Sequence, residues 1–172
     1  MNPWLARNLV YRPATWLRGE PVFAMLRRYE ESQWWAPGRL AATQERDLVE
    51  ILRYSVSSTA HYAAVAREVG IDPLKAEASD LLRLPLLTKT DLVEHGDSLR
   101  GPIPSWQTSW KTTGGSTGVA VRLSKDRRAT AAEQAASWRS YGWYGIRPGD
   151  RQARFWGAPQ THRTKVRYAA ID

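Results

Sequence analysis

The sequence Thr-Thr-Gly-Gly-Ser-Thr-Gly at residues 112–118 bears most directly on the fold. Glycine permits backbone turns with positive φ and lets backbone N–H groups approach a ligand closely. Successive N–H groups in such a turn form a concave anion site, and Ser and Thr hydroxyls add further donors. Lys111 precedes the stretch, and Arg122 and Lys125 follow it. We therefore expect a loop that binds a phosphate chain.

This stretch differs from a Walker-type phosphate loop, in which Lys and then Ser or Thr follow the last glycine. Here Val119 and Ala120 follow Gly118. A flexible Gly/Ser/Thr connection with no ligand is the alternative that composition alone leaves open.

The segments around the loop predict an α/β fold. Residues 106–113 and 119–123 are expected to form strands that enter and leave the loop, and residues 152–156 form a third. Between them, Asp126 can cap a helix that extends to about Tyr141. Strand, helix and strand in this order indicate the beginning of a larger α/β sheet over residues 105–172.

Residues 1–104 are predicted to be a helical region. Residues 38–56 have apolar side chains at helical spacing, and Thr59 can cap a second helix up to residue 69. Thr88 and Asp91 resemble a capping box for a short helix over residues 89–95, in which Asp replaces the usual Glu or Gln.

Residues 1–35 mix tryptophan, leucine and arginine with three prolines. We expect short helices broken at Pro3, Pro13 and Pro21. Such a basic, aromatic segment is also compatible with binding to a membrane surface.

Composition excludes several classes of site. The 172 residues include no cysteine, which rules out disulfides, thiolate metal ligands and a cysteine nucleophile. The three histidines, His61, His95 and His162, lie far apart in sequence and are not at metal-ligand spacing. Most of the nine tryptophans are expected in the core or at interfaces.

No apolar run reaches the roughly 18 residues that a membrane-spanning helix needs. Three arginines, Arg7, Arg12 and Arg18, interrupt any signal-like apolar segment at the N-terminus. A cytoplasmic location is therefore expected.

The net charge of +8 is concentrated near the glycine-rich loop. Residues 101–172 contain twelve basic and four acidic side chains, a difference of +8, while the charges of residues 1–100 cancel. Such a basic region suits a small polyanionic ligand, and it also suits nucleic acid or an acidic protein face. Nucleic acid is the weaker of these interpretations, because the basic residues are spread over strands, helix and turns and no recognised binding motif is present.

Three blocks in order resemble the phenylacetate–CoA ligase-like and capsular-polysaccharide-biosynthesis proteins of the adenylate-forming superfamily. The first is Leu-Pro-Leu-Leu-Thr-Lys-Thr-Asp-Leu at residues 84–92, and the second is Thr-Gly-Gly-Ser-Thr-Gly at residues 113–118. The third is residues 143–157, with Gly145, Gly149-Asp150-Arg151 and Trp156-Gly157. One departure is Ala120, where that family commonly has proline.

The resemblance implies an ATP-dependent, AMP-forming carboxylate ligase with Mg²⁺, which forms an acyl-adenylate and transfers the acyl group to CoA or another acceptor. The residues that would bind the ATP phosphates are Lys89 and the loop residues Thr113, Gly114, Gly115, Ser116, Thr117 and Gly118. The family's Mg²⁺-binding Glu, ribose-binding Asp and catalytic Lys have no match here. We therefore expect an N-terminal portion that is inactive alone, with a missing C-terminal half as its possible partner.

Overall fold

The computed structural model describes residues 2–113 and 120–153. In these residues the fold is mainly helical, with a two-stranded antiparallel sheet. The N-terminal helix comprises α1 (Pro3–Leu5), a π-helical segment (Ala6–Tyr11) and α2 (Arg12–Leu17). It is followed by α3 (Val22–Ser32), α4 (Pro37–Ser58), α5 (Ala60–Glu68), a 3₁₀ segment (Ala78–Arg83) and α6 (Lys89–Glu94). A 3₁₀ turn (Ser105–Gln107) leads to β1 (Thr108–Thr112), β2 (Arg122–Asp126) and α7 (Arg127–Gly142).

Three helix starts follow the predicted capping residues. The Thr59 hydroxyl accepts from the Tyr62 N–H at 3.3 Å, and an Asp126 carboxylate oxygen accepts from the Ala129 N–H at 2.5 Å. The Thr88 hydroxyl accepts from the Asp91 N–H at 3.2 Å, and Asp91 accepts from the Thr88 N–H at 2.7 Å. The predicted capping box is therefore confirmed.

The expectation that prolines break the first helices is wrong at Pro13. The chain remains helical through Pro13, and the π segment precedes it with an i→i−5 bond from the Arg12 N–H to the Arg7 carbonyl. Proline lacks an N–H and its ring clashes with the preceding turn of an α-helix. A wider π turn just before it relieves that conflict without ending the helix.

The helices form two packed groups. In one, α4 and α5 pack together around Leu52, Val56, Ala66, Ile71 and Ala76. In the other, α3 packs against α7, and α7 also contacts both strands. The α3–α7 packing joins residues on either side of position 104, where the sequence analysis divided the chain.

In the described residues the sheet contains two of the three predicted strands, and the bounds of these two differ from the predicted ones. Strands β1 and β2 are antiparallel neighbours, with Thr108 opposite Asp126 and Thr112 opposite Arg122. The second strand begins at Arg122 instead of residue 119. The third predicted strand was placed at residues 152–156: Gln152 and Ala153 are not in a strand, and residues 154–156 lie outside the described part.

Most tryptophans are expected in the core or at interfaces, and a place in the core is wrong for most of them in the part of the chain that the structure describes. Six are exposed, and Trp35 and Trp138 are half-buried. Among the described residues ten apolar ones are buried, most of them alanine or valine; they are Val22, Leu26, Leu52, Val56, Ala66, Ile71, Ala76, Val121, Ala131 and Ala135. Four tryptophans instead line a surface cleft; they are Trp16, Trp34, Trp138 and Trp143.

Candidate anion-binding site

The glycine-rich stretch lies between two paired strands. The Thr113 N–H donates to the Val121 carbonyl at 2.9 Å, directly after the last pair of the ladder. In return, the Val121 N–H donates to the Thr113 hydroxyl oxygen at 3.0 Å. These two bonds hold the two ends of the stretch together, as the sequence analysis expected of strands that enter and leave a loop.

The predicted phosphate-binding residues are placed only in part. Gly114, Gly115, Ser116, Thr117 and Gly118 lie outside the described residues. Thr113 is described, and its hydroxyl oxygen already accepts a bond from Val121, but its hydrogen can still be donated to a ligand. Lys89 is exposed at the first position of α6.

The two faces of the hairpin use their basic residues differently. On the face toward α7, Lys111 donates to Glu133 at 2.6 Å, and Lys125 binds the other oxygen of the same carboxylate. These hydrogen bonds, first that of Lys111 and then that of Lys125, lower the pKa of Glu133. The charges of Lys111 and Lys125 are thus partly compensated within the fold.

On the opposite face, two guanidinium groups pack on one indole ring. The Arg122 guanidinium lies 4.1 Å from the centre of the Trp110 ring, and that of Arg100 lies 4.4 Å from it. Arg100 also pairs with the exposed Asp97 at 2.9 Å. Arg122 is in no ion pair among the described residues. A guanidinium group suits the oxygens of a phosphate or carboxylate, because it can donate two parallel hydrogen bonds to them.

These side chains line a groove of about 480 Å³ that begins beside the glycine-rich stretch. Its described lining consists of the end of α6, the turn after it, and residues at the loop end of the hairpin; they are Leu92, Val93, Glu94, His95, Gly96, Asp97, Ser98, Arg100, Trp110, Ala120 and Arg122. Lys89, at the other end of α6, is not among them. Whether Lys89 reaches a phosphate therefore remains a prediction.

The fold brings His61 and His95 together, although they lie far apart in the sequence. Their ring centres are 5.6 Å from each other, and His95 lines the groove. Asp91 is near both rings, although its pKa is lowered mainly by hydrogen bonds from the Thr88 hydroxyl and N–H. Within residues 2–113 and 120–153, no group of three or more His, Cys, Asp or Glu side chains could hold a metal ion. No residue is therefore assigned to Mg²⁺.

A larger cleft of about 1070 Å³ lies between the N-terminal helix, α3 and α7. Its walls include four tryptophans, Trp16, Trp34, Trp138 and Trp143, and five arginines, Arg7, Arg12, Arg27, Arg139 and Arg147. None of these arginines is in an ion pair with a described residue. Sequence reasoning missed this grouping, because the residues come from both ends of the chain.

Comparison with family models, curated proteins and solved structures finds no match to this chain.

Proposed function

We propose that this chain contributes the phosphate-binding part of the nucleotide site in an ATP-dependent, AMP-forming carboxylate ligase. The observation that supports this most directly is the pair of hydrogen bonds between Thr113 and Val121, the residues on either side of residues 114–120. The three sequence blocks supply the reaction class, and the groove beside the hairpin supplies positive charge near the same loop.

In the proposed reaction, a carboxylate oxygen attacks the α-phosphorus of ATP, and the bond from that phosphorus to the bridging oxygen of pyrophosphate breaks. The products are an acyl-adenylate and pyrophosphate. The contribution of this chain is to bind and orient the leaving phosphates, whose charge is stabilised by fixed donors. Backbone N–H groups of residues 114–118 and the hydroxyls of Thr113, Ser116 and Thr117 are the proposed donors.

Arg122 is proposed to bind the same anion from the side of the groove. It lies opposite Thr112 in the ladder, one residue from the Val121 bond that closes the loop. Its charge is not compensated by a carboxylate in the described residues. An anion held by the loop would therefore find this guanidinium nearby, with Arg100 on the same indole ring.

The test is phosphorus NMR of Mg-ATP and of pyrophosphate in the presence of the purified chain. We expect selective broadening of the β and γ resonances of ATP, with weak affinity and little adenylate formation. The double variant Ser116→Ala/Thr117→Ala should reduce the broadening at least several-fold. Ser57→Ala/Ser58→Ala, which removes two hydroxyls at the end of α4, is the matched control.

A second pair of variants tests the arginine. Arg122→Gln should weaken pyrophosphate binding, whereas Arg128→Gln, an exposed arginine on α7, should not. Broadening that is absent, or that is equally affected by the control variants, would contradict the proposal.

A further inference from the structure

The N-terminal helix has its apolar side chains on the outside. Six of them are exposed, between 42% and 76% of their surface; they are Trp4, Leu5, Leu9, Val10, Trp16 and Leu17. The less exposed positions of the same helix include polar side chains. Thr15 is buried, and Arg7, Asn8 and Tyr11 are half-buried. This distribution is the reverse of that in an ordinary surface helix.

The π segment places the exposed side chains in register. A π turn contains about one residue more than an α turn. Between residues 4 and 16 the helix therefore rotates about as far as an α-helix does over eleven residues, which is close to three full turns. Trp4 and Trp16 therefore fall on one line along the helix, and Leu5 and Leu17 fall on a neighbouring line. In an uninterrupted α-helix each of these pairs would be separated by about a third of a turn. We call the six exposed residues the apolar seam.

The charge around the seam favours an anionic partner. Residues 1–20 contain three arginines and one acidic residue, Glu20, which pairs with Arg18 at 3.0 Å. Arg12 and Arg27 line the cleft beside Trp16, together with Glu20 and Glu30, and neither arginine is in an ion pair within the described part of the chain. Arginine next to an apolar strip with tryptophan near both ends is the pattern of helices that lie in the headgroup region of a bilayer.

We propose that the N-terminal helix binds the surface of a membrane containing anionic lipids. The apolar seam enters the boundary between headgroups and acyl chains, and Arg12 and Arg27 bind lipid phosphates. Among the described residues, no helix is long and apolar enough to span the bilayer. The inference is independent of the proposed nucleotide site, since the seam and the glycine-rich hairpin are formed by different elements.

The experiment is co-sedimentation of the full chain with vesicles of phosphatidylcholine, alone or with about a quarter phosphatidylglycerol. We expect binding to the anionic vesicles that weakens several-fold as salt rises from about 50 mM to about 500 mM. The triple variant Leu9→Gln/Trp16→Gln/Leu17→Gln should lower the partition coefficient about tenfold or more, because three buried apolar groups are lost. Circular dichroism would verify that its helix content is retained.

The matched control is Leu74→Gln/Leu82→Gln/Leu86→Gln, which alters three leucines that are 85%, 90% and 93% exposed outside the seam. It should bind anionic vesicles like the unaltered chain. No binding to anionic vesicles, or equal losses in both triple variants, would overturn the proposal. A lipid-free dimer that only the seam variant dissociates would identify a second copy of the chain as the occupant, and would overturn it as well.

Discussion

Thr113 and Val121 exchange two hydrogen bonds, one between their backbones and one from the Val121 N–H to the Thr113 hydroxyl. Val121 is almost fully buried, with 4% of its surface exposed. Its N–H therefore depends on the threonine side chain for a partner. This relationship makes the hydroxyl of Thr113 a structural group as well as a proposed phosphate donor.

Thr113→Val should destabilise the chain by about 1–3 kcal/mol, because it leaves a buried N–H without an acceptor. Thr113→Ser keeps the hydroxyl oxygen as the acceptor and should lose much less stability. Urea unfolding followed by circular dichroism measures both. Equal stability of the valine and serine variants would show that the hydroxyl does not hold the loop ends.

Gly149, in the turn after α7, lies close to the start of the N-terminal helix. Its φ is +100°, and a Cβ there would lie 2.3 Å from the Pro3 carbonyl oxygen. Gly149→Ala should therefore cost about 1–3 kcal/mol or more, from overpacking added to backbone strain.

Substitutions at two other glycines distinguish the effect of backbone strain from that of overpacking. Gly145 has φ +76° but open space around its Cβ position, whereas Gly38 has open space and no positive φ. Gly145→Ala should show the strain alone, and Gly38→Ala should be neutral or slightly stabilising. Thermal unfolding should show the largest loss of stability for Gly149→Ala, then Gly145→Ala, then Gly38→Ala; equal losses for Gly149→Ala and Gly145→Ala would contradict the contact with Pro3.

Glu133 links the hairpin to α7 through Lys111 and Lys125, and their hydrogen bonds lower its pKa from the ordinary value near 4.5. A carboxyl group with a lowered pKa in the folded state contributes stability above its unfolded pKa, and this contribution disappears as pH falls through the folded value. Glu133→Gln should thus reduce stability at pH 7 by about 1 kcal/mol or less, since the pairs are half-exposed.

The difference between Glu133→Gln and the unaltered chain should shrink as the pH falls below about 4.5. Urea midpoints from neutral to acidic pH test this, with Glu45→Gln, an exposed position on α4, as the control. A difference that does not change with pH would show that the lost contribution is not the ionised carboxylate.

Local signals in the sequence predicted the helices better than the surfaces. Thr59, Thr88 with Asp91, and Asp126 each cap the expected helix, because capping depends on residues within one turn. The effect of Pro13 was predicted wrongly, because a π turn is one of several ways to accommodate a proline and the local sequence does not select among them.

The groove could not be predicted, because its arginines are brought together by tertiary packing. Arg100 follows α6 in the chain, and Arg122 is the first residue of β2. Tertiary packing places the guanidinium groups of both within 5 Å of the centre of the Trp110 ring. Likewise, Lys111 and Arg122 both flank the glycine-rich stretch in sequence. The pleat places them on opposite faces, so that Glu133 binds one and leaves the other in the groove.

Trp110 should therefore act as a positioning residue for both guanidinium groups. Cation–π contacts at exposed sites are worth about 0.5–1 kcal/mol each, so the loss of both contacts in Trp110→Leu should weaken pyrophosphate binding by about five- to thirtyfold at most although both arginines remain. Trp110→Phe should recover part of the affinity. In the Arg122→Gln background the effect of Trp110→Leu on pyrophosphate affinity should become smaller, since one of the two oriented guanidinium groups is gone.

Trp106→Leu is the matched control. The Arg127 guanidinium lies 5.0 Å from the centre of the Trp106 ring, and neither residue lines the groove. Pyrophosphate titrations followed by phosphorus NMR, with unfolding curves for each variant, separate affinity from stability. If Trp110→Leu changes stability but not affinity, or if its effect is the same with and without Arg122, the indole ring is only a packing element of the hairpin.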